Sequence, residues 1–91
     1  MRWLSNNFHS LLIADWENEY TVFQPDSGKT HFLNRMSMQM LSFLDQHPAS
    51  SAEVCSYLSR EFERETNQNF QDSIEKILYH FDALGLIRKE N

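Results

Sequence analysis

The stretch "EYTVFQPDSGKTHFL" constrains the fold more than any other part of the chain. Residues 19–23 are almost all strand formers, with Tyr20 and Val22 on one face and Thr21 and Phe23 on the other. Pro25, Asp26, Ser27 and Gly28 are turn chemistry. Proline presets φ, Asp26 and Ser27 can hydrogen-bond nearby backbone, and Gly28 takes positive φ to close a bulged hairpin. Residues 29–33, "KTHFL", return as the second strand. The apolar run "SLLIA" at residues 10–14 reads as a further, buried strand.

"SGKT" inside this stretch looks like the tail of a phosphate-binding loop, and its surroundings rule that out. Such a loop needs a glycine five residues before Gly28, so that a curled backbone can aim its N–H groups at phosphate. Phe23 stands there. Lys29 and Thr30 should also open a helix whose N-terminus completes the anion site, yet they lead into "THFL", a strand. Lys29 is a solvated charge beside a turn.

Beyond residue 34 the hydrophobic period changes from two to 3.6. Met36, Met40, Phe43 and Leu44 make one apolar face of a helix over 36–46, with Met38 turned away as an adaptable, partly exposed side chain. This spacing favours core packing over thioether metal binding for "MSMQM". His47-Pro48 ends the helix, because a residue before proline avoids helical ψ. Ser51 reads as the N-cap of a second helix with Glu53 in its first turn, burying Val54, Cys55, Leu58 and Phe62. "RETNQN" (64–69) reads as a polar connector. Gln71 or Asp72 then opens a third helix over 72–84, with Ile74, Ile77, Leu78, Phe81 and Leu84 as its stripe and Gly85 as its stop. "LIRK" adds a short strand. The expected class is α+β, winged helix-turn-helix-like: a small three-stranded antiparallel N-terminal sheet followed by three helices.

Ninety-one residues make one domain, residues 1–91, with a modest core and no room for a deep catalytic cleft. Thirteen acidic residues against eight Lys and Arg give a net charge of −5, with the basic residues scattered. Such a surface repels nucleic acid and anionic membranes, so neither is expected as a partner. The N-terminal apolar patch is too short for a signal peptide, which predicts a cytoplasmic chain. A winged-helix DNA reader is the alternative fold-level function. Both helices able to enter a groove are net acidic: Asp72, Glu75 and Asp82 face a single Lys76 in the third. A docking adaptor whose sheet edge meets a folded partner is a third reading.

No enzyme activity, cofactor or metal is expected. His9, His31, His47 and His80 include no i, i+4 pair, although His31 and His80 can approach each other in the fold. Cys55, the only cysteine, excludes an internal disulfide and sits on an apolar helix face as a structural thiol.

The ordered series "YTVFQPDSGKTHFLN…ML..L…P.S..EV…L", followed by "IEKIL..FDALGLI", resembles the PqqD-like peptide chaperones. These are the recognition elements of ribosomal-peptide modification systems, and the variant found with HPr-kinase-like ATPases is the most similar. The resemblance runs from about Trp16 to Ile87. It implies a domain that binds a precursor or leader peptide as an added β-strand and hands it to a modifying enzyme, in a setting that includes such an ATPase. Carried onto this chain, the peptide pairs with Thr30, His31, Phe32 and Leu33, and rests against the third helix at Ser73, Ile77 and His80. Leu33-Asn34 matches the "LN" at the strand end. Ser37-Met38 departs from the small residues usual early in the first helix.

Overall fold

The computed structural model describes residues 1–90. The predicted hairpin is present as β3 (Glu19–Gln24) and β4 (Lys29–Asn34), antiparallel from Glu19↔Asn34 to Gln24↔Lys29. Gly28 closes it at φ 73°, its N–H donating to the Gln24 carbonyl at 2.8 Å. β2 (Leu12–Trp16) pairs with the other side of β3, giving a three-stranded sheet of order β2-β3-β4. Glu17 and Asn18 join β2 to β3, both at positive φ, as a two-residue hairpin turn with right-handed strand twist demands. β2 is not the buried strand its apolar run predicts. Every one of its residues is exposed, because it is the outer strand of the sheet and no helix covers it.

The inner sheet face carries Val22, Gln24 and Leu33, all buried, and packs on α1 (Arg35–Gln46). Asn34 ends β4 and caps α1, its side chain accepting from the Ser37 N–H at 2.8 Å. α1 buries Ser37, Met38, Met40, Leu41 and Leu44. Met38 is therefore a core residue rather than a partly exposed one. The reason is a second layer of strand: β1 (Arg2–Ser5) also packs on α1 and pairs with β5 (Ile87–Glu90) in a two-stranded sheet. β1 was not legible as a strand, because its partner lies at the other end of the chain and no turn signal connects them. Trp3 fills the core from β1, and its backbone exchanges two hydrogen bonds with Ala49, at 2.7 and 3.0 Å.

α2 (Ser51–Glu61) starts one residue later than its cap, which is Ser50 and not Ser51. The Ser50 hydroxyl accepts from the Glu53 N–H, and the Glu53 carboxylate accepts from the Ser50 N–H. These two bonds close a capping box, and Ser50, above all through its backbone N–H, holds the Glu53 carboxyl below its ordinary range. α3 (Gln68–Ala83) begins four residues before the predicted Asp72. Asn67 caps it by accepting from the Phe70 N–H at 2.9 Å, so the second half of "RETNQN" is helix start and not connector. Ile74, Leu78 and Phe81 are its buried stripe, with Ile77 and Leu84 only partly buried beside them. Gly85, at φ 79°, turns the chain into β5. The three-stranded antiparallel sheet and three helices make a mixed α+β fold compatible with a small winged-helix domain.

Candidate functional site

β4 is an edge strand, so alternate residues along it turn their backbone N–H and C=O groups away from β3 with no partner strand. Its side chains alternate in the same way. His31 and Leu33 point inward, and Leu33 is 8% exposed. Thr30 and Phe32 point outward, and Phe32 is 81% exposed. Of the four strand residues singled out in the sequence, Thr30 and Phe32 turn their backbone N–H and C=O groups to the open edge, while those of His31 and Leu33 pair with β3. Phe32 offers an entire ring, on the sheet face opposite the helices.

Ser73, Ile77 and His80 recur at i, i+4 and i+7 and therefore share one side of α3. The opposite flank is already used. Glu75 accepts from the Ser51 hydroxyl at 3.4 Å, and Tyr79 meets Trp3 edge-on at 5.5 Å between ring centroids. Of the three, His80 is the one the structure puts near β4. His80 is near enough to His31 to act on its charge, and Leu84, one helical turn on, shares a cavity of about 300 Å³ with Gln24 and Pro25 at the hairpin end. The structure thus brings His31 and His80 together. Ser73 lies farther along, its hydroxyl donating to the Asn69 carbonyl at 3.0 Å, and it borders a separate cavity with Arg64 and Phe70. The β4 edge and the His80 end of this flank form the candidate strip.

The electrostatics of the strip centre on His31. Burial lowers its imidazole from the ordinary value of 6.5, and the nearby positive charge of Lys29 and the proximity of His80 lower it further. Its Nε2 lies 2.5 Å from Oε1 of the buried Gln24. A carbonyl oxygen only accepts, so the neutral ring carries its proton on Nε2. The same Gln24 oxygen accepts from the Ser27 hydroxyl at 3.3 Å, tying the turn to the strand.

Sequence reasoning missed part of the strip. Phe70 lies one turn before Ser73 on the same flank and is half-buried, yet it fell within what looked like the approach to the helix. Its signal was the spacing Phe70, Ser73, Ile77, visible only once Asn67 is read as a cap. Arg35 was likewise overlooked: its guanidinium lies over the Phe62 ring, 5.6 Å from the centroid, where β4 passes into α1.

Other chemistry is sparse. Cys55 is buried and its thiol is pushed up by desolvation, which keeps it protonated and unreactive. Among the described residues, no group of three or more His, Cys, Asp or Glu side chains is placed to hold a metal ion. No helix among them is long and apolar enough to cross a membrane.

Neither a family model nor a curated protein sequence matches this chain. A solved structure does match: TbiB1 in complex with the TbiA(beta) leader peptide, at a TM-score of 0.70 over 97% of this chain and 98% of that one. Sequence identity is 11%, so the likeness is one of fold.

Proposed function

We propose that this protein is a non-enzymatic, PqqD-like peptide-recognition domain. It binds a precursor or leader peptide as a strand added to β4 and presents it to a modifying enzyme, in a system of the kind that includes an HPr-kinase-like ATPase. The observation that carries the proposal is the open β4 edge, with His80 of α3 near its His31. An edge alone is common. An edge beside a partly apolar helix flank supplies both parts of β-augmentation: main-chain partners for affinity and pockets for alternate side chains. The likeness of fold to TbiB1, a protein in complex with a leader peptide, supports this reading. Thr30 and Phe32 supply outward-facing backbone for the peptide, His31 and Leu33 hold the strand to β3, Ile77 supplies apolar surface and Ser73 and His80 polar edges.

The DNA-reader alternative gains nothing from the fold, since α3 sets Asp72, Glu75 and Asp82 against Lys76. Calorimetry with a peptide selected for binding to the protein, at rising salt, separates the two. Backbone pairing holds its affinity to within a few-fold, whereas a DNA complex with six to ten phosphate contacts loses about 10³–10⁵ over the same change. Ile77→Asp should abolish peptide binding while the far-UV circular dichroism stays native. A folded Ile77→Asp protein that still binds the peptide would sink the assignment of this flank.

A further inference from the structure

An antiparallel sheet with one face on the core alternates apolar inward with polar outward residues. β4 breaks that alternation at Phe32. With Val22 and Leu33 buried on the inner face, the register sets Phe32 on the outer one, directly across from Thr21 and two positions from Thr30. The two threonines show what an outward position needs to form strand. Phe32 is instead the most exposed large apolar side chain among the described residues. Within them no ring stacks on it and no cation lies over it. Nor does it stand alone on that face: Phe23 is its diagonal neighbour on β3, and Leu12 lies across from Phe23 on β2.

Phe32 is also a residue whose backbone N–H and C=O face the open edge. Every strand pair in the sheet is antiparallel, and a peptide added to β4 continues the pattern. The peptide residue opposite Phe32 then exchanges both main-chain hydrogen bonds with it, at a Cα separation of about 5.5 Å. Paired residues share a face, so this peptide side chain rises beside the Phe32 ring, on the side away from the helices. Its two neighbours along the peptide, opposite His31 and Leu33, point the other way. A cavity of about 210 Å³ lies at this place, lined by Phe32, Glu19, Leu33 and Asn34. Its one charged group, the Glu19 carboxylate, is exposed and screened by water. The larger gain on binding is burial of the ring.

Resting on the strand-addition reading, we propose that Phe32 is a specificity determinant. The bound peptide carries a large apolar residue, aromatic or β-branched, at the position opposite Phe32, and that side chain covers the ring on the outer face of the sheet. The peptide is thus read on both faces: one set of alternate residues on the helix side, and this residue on the other.

Selection from a random-sequence peptide display library on the whole protein, followed by calorimetry, tests this without knowledge of the natural ligand. Selected peptides should share an aromatic or β-branched residue at one fixed position. Changing it to Ser should weaken binding to the native protein about fivefold. Phe32→Thr, which keeps a strand former at an exposed position, should weaken the parent peptide about as much and no longer distinguish it from the Ser peptide. The Ser comparison uses only the native protein, so it decides the question even where the variant misfolds. Thr30→Pro removes an edge N–H and leaves the Phe32 ring in place, which separates strand addition from the ring contact. Peptides that lose binding to Thr30→Pro but bind Phe32→Thr as tightly as the native protein overturn the ring contact and leave strand addition intact. A fixed Lys or Arg in place of the apolar residue would show that Glu19 is what the peptide meets, and overturns it too. Peptides indifferent to Thr30→Pro overturn the strand-addition reading and this inference with it.

Discussion

β2 and β4 are the two edges of one sheet, both open, and the molecule treats them differently. β2 is exposed along its whole length, with Leu12 62% and Trp16 75% exposed, and only β3 beside it. β4 is fixed from below by α1, sends Leu33 into the core, and has His80 of α3 near its His31. Unpaired backbone is common to both edges. What distinguishes β4 is a wall: side chains on a second element can contact whatever pairs with it. β2 has no wall, and its Asp15 and the adjacent Glu17 put charge where another strand would approach.

The largest test of this contrast is a proline in each edge. Phe32→Pro should abolish peptide binding, a loss of about a hundredfold or more, because a strand cannot pair through a residue without an N–H. Asp15→Pro in β2, at a residue whose N–H faces away from β3, should leave the affinity unchanged in calorimetry. Equal losses from both would show that the two edges are equivalent, and the contrast would fail. Alanine at one inward residue of each strand sharpens it further. Leu33→Ala should cost about 2–4 kcal/mol in urea unfolding, as expected for a buried leucine. Ile13→Ala, at a residue 39% exposed on β2, should cost about 1 kcal/mol or less.

The smallest effect is a pH dependence that belongs to β4. The folded pKa of His31 lies below its ordinary 6.5, so folding disfavours its protonation. The stability associated with neutral His31 is fully present above pH 6.5 and is lost as pH falls through the lowered folded value. In His31→Gln this part of the slope should vanish from urea midpoints measured between pH 7 and pH 5. An unchanged slope would show that His31 titrates in the folded chain as it does in the unfolded one.

Local signals in the sequence were reliable where structure is local. The β3–β4 hairpin, the positive φ of Gly28 and Gly85, and the α3 stripe of Ile74, Leu78 and Phe81 are each set by residues a few positions apart, and each was legible. β1 was not, because it is defined by pairing with β5. Met38 was misjudged for the same reason: it looks outward until β1 supplies a second layer over α1. β2 failed in the opposite direction. An apolar run says that burial is favourable but not that a neighbour is available, and no helix reaches it. On the strip itself, β4 was legible as a strand from its own residues, whereas Ser73, Ile77 and His80 entered only through the resemblance. Arg35 and Phe62 were not legible as a pair, since 27 residues separate them and only the fold puts one over the other.

The β1–β5 pairing has a mechanical side. Arg2 lies opposite Glu90 and Ser5 opposite Ile87, so the outermost rungs of this ladder are also the outermost points of the described chain. A pull applied to both ends loads the rungs one after another, as a zipper opens, rather than all at once in shear. Each rung yields at the strength of one or two hydrogen bonds. The same ladder joins residues 2–5 to residues 87–90, so its closure carries a large loop entropy. Stretching the molecule from its ends should thus peel this two-stranded sheet first, exposing Trp3, while the β3–β4 hairpin and its open edge remain unloaded.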